Sequence, residues 1–172
     1  FEVVTDDLGE MRWQAREIAS WGSNVYVKIP ITTTTGLSTF NLIYDLSREG
    51  IQVNVTAVMT TDQISTLGYT LSSSTASYVS IFAGRIADTG RDPVPIIQHA
   101  IDLFLVSASE IIWASPRELL NIVQADDIAC DIITATPDIL NKLPLLGKDL
   151  NEYSLDTVKM FYSDAQRAGL TL

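Results

Sequence analysis

Segments with the pattern of β-strands alternate with segments with the pattern of α-helices along all 172 residues. No long stretch lacks such a pattern, and no change of composition marks a second domain. Alternation of this kind is typical of a parallel sheet covered by helices, because each pair of parallel strands needs a crossover connection. We therefore predict one α/β domain over residues 1–172.

Short runs rich in β-branched and apolar residues mark the predicted strands, which are Phe1–Thr5, Asn24–Pro30, Ile51–Met59, Tyr78–Gly84, Glu110–Ser115 and Asp131–Ala135. Apolar spacing and capping residues predict helices over Leu8–Trp21, Leu37–Arg48, Thr60–Leu71, Ile96–Val106, Pro116–Gln124, Pro137–Leu143 and Leu155–Ala168, the last being a C-terminal helix. Residues Ile86–Pro95 are predicted to form a polar loop.

Two architectures fit this alternation, an open doubly wound sheet and a closed barrel. No predicted strand is followed by a Gly-x-Gly-x-x-Gly turn, which removes support for dinucleotide binding. A closed barrel has eight strand–helix units, whereas about six are found in this sequence. We therefore expect the third to eighth units of a (β/α)8 TIM barrel, with two further units upstream in roughly 50–60 residues.

The composition narrows the classes of partner. The net charge is −10 and the pI is near 4.3, which disfavours nucleic acid and anionic membranes. No window has the apolar length of a membrane span. The one cysteine, Cys130, fits a reducing cytoplasm and is expected to be buried filler. The one histidine, His99, argues against a histidine-based metal site.

One predicted strand carries a lysine where a buried strand normally has an apolar residue. Residues 24–36 read Asn-Val-Tyr-Val-Lys-Ile-Pro-Ile-Thr-Thr-Thr-Thr-Gly, and Lys28 lies near the carboxyl end of the strand, where barrels place their catalytic groups. A lysine shielded from water favours its neutral amine, which can attack a carbonyl carbon. The alternative is a lysine that extends to solvent or pairs with an acid.

Polar residues share one face of several predicted strands. Because the pleat sends alternate side chains to opposite faces, the apolar sets would contact the helices and the other sets would point inward. The inward set is Glu2, Lys28, Asn54, Thr56, Ser80, Trp113 and Ser115. A barrel interior is normally filled by branched apolar residues, so this set predicts a binding pocket.

Arg85 and Arg117 each follow directly after a predicted strand end. An arginine beside a helix N-terminus favours phosphate, and barrels often bind phosphate near the seventh strand. Structural alternatives exist for both regions. The segment from Ser115 to Glu118 fits a capping box with serine as the N-cap. Arg85 is also spaced to form a surface ion pair with Asp88.

Four segments, in this order, resemble the transaldolase family: Val-Tyr-Val-Lys28-Ile-Pro-Ile-Thr, Val-Asn54-Val-Thr56-Ala, Ser80-Ile-Phe82-Ala-Gly84-Arg85-Ile and Ala-Ser115-Pro-Arg117. The resemblance covers nearly the whole chain. It implies a barrel enzyme of class I aldolase type that needs no cofactor. Such an enzyme moves a dihydroxyacetone unit from fructose 6-phosphate or sedoheptulose 7-phosphate to an aldose phosphate, in the pentose phosphate pathway. It also implies a homo-oligomer of five or ten subunits.

The same resemblance implies roles for individual residues. Lys28 would be the Schiff-base lysine, Glu2 and Thr56 would hold the catalytic water, and Asn54 and Ser80 would line the sugar site. The positions that match the phosphate binders are Arg85, Ser115 and Arg117.

Two positions resemble the transferases within this family. Its fructose 6-phosphate aldolases tend to carry glutamine where this chain has Glu2 and tyrosine where it has Phe82. The family's acid–base aspartate on the first strand and its Thr-Asn-Pro motif on the second have no match in this sequence. The resemblance predicts a transaldolase; an aldolase-type lyase and a non-catalytic sugar-phosphate-binding barrel are the alternatives.

Overall fold

The computed structural model of the protein describes residues 1–169. The chain divides into two compact units, the first being Phe1–Ala135 and the second beginning at Thr136. The first unit contains every strand and every predicted site residue.

The strands of the first unit are β1 (Val27–Pro30), β2 (Val53–Val58), β3 (Ser77–Ile81), β4 (Ser109–Trp113) and β5 (Ile132–Ile133). Its helices are α1 (Leu8–Ala19), α2 (Phe40–Arg48), α3 (Thr61–Thr70), α4 (Ala83–Ala87), α5 (Val94–Phe104) and α6 (Leu120–Asp127). The second unit contains α7 (Pro137–Leu140), a 3-10 turn (Leu143–Leu145) and α8 (Leu150–Arg167).

The five strands form one parallel sheet in the order β1-β2-β3-β4-β5. A doubly wound sheet reverses its direction of winding at a switch point, and this order has no such reversal. Because parallel crossovers are almost always right-handed, an unreversed order places the connecting helices on one face. The α/β fold of a partial (β/α)8 barrel is therefore confirmed, and the other face of the sheet is free to carry a site.

The hydrophobic core lies on the helix face of the sheet. Alternate residues of the strands are fully or almost fully buried there: Val27, Ile29, Val53, Val55, Val79, Ile81, Ile111 and Trp113. The spacing predicted for α1 is confirmed, since Met11, Ala15 and Ile18 are its buried residues. Asp7 is the N-cap of this helix and accepts a 2.8 Å hydrogen bond from the backbone of Glu10.

The prediction of a strand over Phe1–Thr5 is wrong, because this segment joins the sheet only through a single bridge at Glu2. Glu2 pairs with Lys28 in parallel, and the amide of Val3 donates to the carbonyl of Lys28. The next amide, that of Val4, donates instead to the side chain of Gln14. The chain leaves the sheet at that point because a side chain replaces the ladder partner.

Two other predicted boundaries differ for local reasons. The predicted loop Ile86–Pro95 begins inside α4, which starts one residue after Phe82. The helix predicted from Pro116 begins only at Leu120, because the Asn121 side chain accepts from the amides of Arg117 and Glu118. These bonds hold the preceding residues outside the helix, so the capping box with Ser115 as N-cap does not form.

β2 contains a bulge. Val55 is level with Val79, but Val58 is level with Ile81, so β2 has one more residue than β3 over this stretch. Ala57 has a φ of 62°, in the left-handed region that alanine seldom adopts. The extra residue returns Val58 to the buried face after Thr56 has pointed the other way.

The second unit is mainly helical. Asp149 caps α8 by accepting from the amides of Asn151 and Glu152, and Lys148 pairs with Asp156 at 2.7 Å. No side chain of α8 is buried, although the helix carries a set of large apolar residues: Leu155, Val158, Met160, Phe161 and Tyr162. Within residues 1–169, none of the helices combines the length and the apolar character needed to cross a membrane.

Candidate active site

A cavity of about 310 Å³ opens on the face of the sheet opposite the core, at the carboxyl ends of the strands. Six of the predicted site residues line it together, namely Lys28, Asn54, Thr56, Ser80, Phe82 and Ser115. Ile112, Ala114 and Thr134 complete the wall. Every strand of the sheet therefore contributes, either directly or through the residues that follow it.

Lys28 enters the cavity from β1 and has a carboxylate beside it. The Nζ atom of Lys28 lies 3.3 Å from Oε2 of Glu2, and the bridge between the two backbones holds this pair in place. The Lys28 side chain is 36% exposed and the Glu2 side chain 48%. The amine thus pairs with an acid, as the alternative predicted, and it also faces the cavity. The catalytic role of Lys28 stays a prediction.

Two neighbouring strands join their polar side chains beside Lys28. The hydroxyl of Ser80 on β3 donates a 2.7 Å hydrogen bond to Oδ1 of Asn54 on β2. This bond leaves the amide nitrogen of Asn54 available as a donor. Thr56, two residues further along β2, is 3% exposed, and its Oγ1 atom has no hydrogen-bond partner among the described residues. A buried hydroxyl without a partner is costly, so its position on the cavity wall favours a water or ligand contact.

Ser115 reaches the cavity through an unusual backbone. Its φ is 60°, and its carbonyl oxygen would lie 1.7 Å from a Cβ atom added to Gly84. Only glycine permits this approach of the segment after β4 to the segment after β3. Strained backbone that is held by its surroundings often occurs at functional sites. Ser115, on the cavity wall, and Ala57, which follows the wall residue Thr56, are two of the three described non-glycine residues with positive φ.

The two arginines do not line this cavity. Arg85 borders a separate cavity of about 460 Å³ together with Arg91, and its guanidinium lies 5.5 Å from the centre of the Phe82 ring. Arg117 donates a 2.5 Å hydrogen bond to Asp88. The ion pair that sequence spacing suggested for Arg85 with Asp88 is thus formed by Arg117.

A stacked pair of tyrosines lies toward the amino ends of the same strands. The rings of Tyr26 and Tyr78 are 4.1 Å apart and inclined by 23°. Each precedes a cavity residue, Lys28 or Ser80, by two positions and so shares its face of the sheet. Burial, the neighbouring Tyr78 and the charge of Glu110 raise the pKa of Tyr26 to about 12. Tyr26 therefore stays protonated at neutral pH.

The remaining polar residues singled out in the sequence lie elsewhere. His99 is within 3.2 Å of the Ser65 hydroxyl, between α5 and α3. Burial raises the pKa of the Cys130 thiol, which fits the predicted filler role better than that of a nucleophile. Across residues 1–169, His, Cys, Asp and Glu side chains form no group of three or more that could hold a metal ion.

One polar residue of the cavity wall, Thr134, was not predicted from the sequence. One apolar residue, Trp113, was predicted to point into the cavity but does not line it. Thr134 follows β5 and is level with Ala114, because Ile132 pairs with Ile112. Its alternation with Ile132 is the pattern that predicts an inward side chain. Trp113 was predicted to point inward with Ser115, but it is fully buried in the core. The positive φ at Ser115 breaks the alternation that linked the two.

Comparison with known proteins agrees with this geometry. A family model described as "Transaldolase/Fructose-6-phosphate aldolase" matches residues 1–172. A probable transaldolase of Nitrosopumilus maritimus is 35% identical, over 92% of this chain and 71% of the relative. Others, from Streptococcus equi subsp. zooepidemicus and Methanococcus maripaludis, are 39% and 33% identical, over 95% and 90% of this chain and 71% of each relative. The chain therefore belongs to the transaldolase/fructose-6-phosphate aldolase family.

Proposed function

We propose that the protein is a transaldolase that transfers a dihydroxyacetone unit between sugar phosphates through a Schiff base on Lys28. The observation that carries the proposal is the cavity itself. It brings Lys28 together with Asn54, Thr56 and Ser80 at the carboxyl ends of the strands. A primary amine among polar hydrogen-bonding groups is the arrangement that imine chemistry with a ketose requires.

The proposed reaction begins when the neutral amine of Lys28 attacks the C2 carbonyl of a ketose phosphate. Loss of water from the carbinolamine gives a protonated imine. The bond between C3 and C4 then breaks, the C4 hydroxyl gives its proton to a base, and the electron pair is held as an enamine. An aldose phosphate leaves, and the enamine attacks the aldehyde of an acceptor, whose oxygen takes back the proton that the base holds. Water then hydrolyses the new imine to free Lys28.

We assign the proton transfers beside the nitrogen to Glu2, since its carboxylate is 3.3 Å from Lys28. Thr56 is assigned to a water at the same place, because its buried hydroxyl has no other described partner. Asn54, oriented by Ser80, is assigned to the hydroxyl groups of the bound dihydroxyacetone unit.

Reductive trapping tests this proposal directly. The protein is incubated with fructose 6-phosphate and borohydride, and the adduct is located by mass spectrometry of peptides. We expect one adduct, on Lys28. Lys28→Arg keeps the charge but cannot form the imine, so the adduct should vanish. Lys159→Met removes an exposed lysine of α8 and should leave the adduct in place. An adduct on another residue, or none, contradicts the proposal.

Turnover distinguishes the two alternative functions. Release of free dihydroxyacetone from fructose 6-phosphate without an acceptor aldehyde indicates an aldolase-type lyase. Binding of the phosphate ester that persists in Lys28→Met, together with an inactive wild type, indicates a non-catalytic sugar-phosphate-binding barrel. The glutamate at position 2 and the phenylalanine at position 82 favour the transferase.

Arg117 is proposed to bind the phosphate of the substrate, next to Ser115 on the cavity wall. Removing a charge-assisted pair of this kind costs about 1.5–3 kcal/mol. Arg117→Ala should therefore raise KM for phosphorylated sugars by roughly ten- to a hundredfold and affect unphosphorylated acceptors far less. Equal losses for both would show that Arg117 is structural. Arg85→Ala should follow the same pattern if Arg85 also contacts the phosphate.

We further propose that the protein acts in the cytoplasm as a homo-oligomer of five or ten subunits. The exposed apolar residues of α8 support assembly, since such a face is normally covered by protein. Analytical ultracentrifugation of the wild type tests this. A monomer at micromolar concentration would contradict it.

A further inference from the structure

The ion pair between Asp88 and Arg117 joins two segments that follow neighbouring strands. Nη2 of Arg117 lies 2.5 Å from Oδ2 of Asp88. Asp88 ends α4, which follows β3, whereas Arg117 belongs to the segment after β4. The side chains are 51% and 55% exposed, so solvent and solutes reach both partners.

Arg117 is close to the cavity without forming part of its wall. Its Nε atom would lie 3.0 Å from a Cβ atom on Gly84, at the place where the carbonyl of Ser115 also approaches Gly84. Ser115 does line the cavity. The guanidinium is therefore beside a cavity residue, and its Nη2 donor is directed to a carboxylate of the protein.

We propose that Asp88 is an internal competitor that pairs with the guanidinium of Arg117 until a phosphate displaces it. The inference depends on the proposed function in that the phosphate is taken to be that of the sugar substrate. A carboxylate and a phosphate present oxygens with similar geometry to the guanidinium fork, so the two compete for the same donors. Binding a phosphate then requires breaking the pair with Asp88.

This competition lowers the affinity of Arg117 for every anion by the same factor. A free anion gains only the contacts of Arg117 and loses part of that gain to the displaced Asp88. A sugar phosphate makes additional contacts with the cavity, so its binding stays tight in absolute terms after the same loss. Asp88 therefore sets how strongly phosphate binds at Arg117 but leaves the ratio of the two affinities unchanged, because specificity is a difference between binding free energies.

The test measures binding of inorganic phosphate by isothermal titration calorimetry, without any turnover. Asp88→Asn should lower the Kd for phosphate by about two- to fivefold, the range expected for a solvent-exposed ion pair. Asp88→Ser should do the same and guards against an effect peculiar to one variant. Asp127→Asn, which removes an equal charge from the exposed end of α6, should leave the Kd unchanged.

The pairing is tested by combining variants. In an Arg117→Met background the effect of Asp88→Asn should disappear, because the released donor no longer exists. The inference is overturned by an unchanged Kd in both Asp88 variants, by an equal shift in Asp127→Asn, or by a shift that persists without Arg117. A wild type and Asp88→Asn that both show no binding at millimolar phosphate would also overturn it.

Failure of the proposed function would give different experimental results from failure of the inference on Asp88. If no adduct forms on Lys28 but the phosphate Kd shifts as expected, the Schiff-base proposal falls and the role of Asp88 stands. If the adduct forms and the Kd does not shift, the reverse holds. With both intact, Asp88→Asn should also lower KM for fructose 6-phosphate, by about the same factor as it lowers the Kd for inorganic phosphate.

Discussion

The hydroxyl of Ser80 donates a 2.7 Å hydrogen bond to the side-chain oxygen of Asn54, across the boundary between β3 and β2. The side-chain amide of Asn54 has an oxygen that accepts hydrogen bonds and a nitrogen that donates them. The bond holds the oxygen of Asn54 toward Ser80, so Ser80 fixes the orientation of the Asn54 amide.

Ser80→Ala removes this bond and should allow the amide of Asn54 to turn over. We expect kcat/KM to fall by roughly fivefold, in line with about 1 kcal/mol for a neutral hydrogen bond. Steady-state kinetics with fructose 6-phosphate measure the change. The matched control is Ser109→Ala on β4, whose hydroxyl is buried without a described partner. That variant should keep its activity and be equally or more stable, and a comparable loss of activity would count against the role of Ser80.

Gly84→Ala should strongly destabilise the protein, because its Cβ would meet a backbone oxygen at 1.7 Å. Overpacking costs about 1–3 kcal/mol, and a contact with backbone belongs at the upper end of that range. Gly90→Ala is the comparison, since Gly90 has a φ of 79° but no neighbour within 4 Å of the added atom. Chemical denaturation should give a larger loss at Gly84 than at Gly90. Equal losses would mean that the approach of Ser115 relaxes easily.

Ser115→Gly should relieve the left-handed backbone at this position and raise the free energy of unfolding by up to about 1 kcal/mol. The variant also removes a hydroxyl from the cavity wall, so activity should fall while stability rises. Ser115→Ala removes the hydroxyl and retains the backbone strain. It should lose activity to the same extent without becoming more stable, as judged by melting temperature and kcat/KM.

Stability should decline in the alkaline range because of Tyr26. Its pKa is about 12 in the folded protein and about 10 when unfolded, so the unfolded state releases the proton first. The resulting stabilisation is complete below pH 10 and is lost as pH rises from about 10 to 12. Tyr26→Phe should flatten this part of the curve, and ultraviolet titration should show one fewer late-ionising phenol. Tyr69→Phe, at an exposed tyrosine, should leave the alkaline part of the stability curve unchanged.

Thr60→Ala should destabilise α3, the helix that follows β2. Thr60 and Gln63 form a reciprocal capping box, and loss of such a cap costs about 1 kcal/mol. Thr66→Ala in the same helix removes a hydroxyl that only bonds back to the carbonyl of Asp62. Thermal melts should therefore separate the two variants, and similar melting temperatures would show that the cap contributes little.

The alternation of strands and helices and the inward faces of β1, β2 and β3 were predictable, because each depends on local periodicity. Lys28, Asn54, Thr56 and Ser80 meet in one cavity for that reason. The orientation of Trp113 could not be predicted from the sequence, because it was inferred by alternation with Ser115. A serine at position 115 does not indicate the positive φ that breaks this alternation.

Contacts between distant segments were also beyond sequence reasoning. Asp88 pairs with Arg117, 29 positions away, rather than with the nearer Arg85. Spacing along a chain ranks near neighbours first, whereas the close approach at Gly84 brings two loops together. In the same way, the pairing of residues 1–5 with the sheet ends early because the side chain of Gln14 accepts a hydrogen bond from the amide of Val4.

The bulge at Ala57 has a consequence for how this site can change over evolution or by engineering. Before it, Asn54 and Thr56 face the cavity; after it, Val58 is again buried in the core. Substitutions at the two cavity positions can thus change the polar groups of the cavity wall while Val58 stays in the core. Loss or gain of a single residue here would instead move the following side chains of β2 to the opposite face of the sheet. In β2, a change in the number of residues would therefore disturb the structure more than a substitution of the residues in the cavity would.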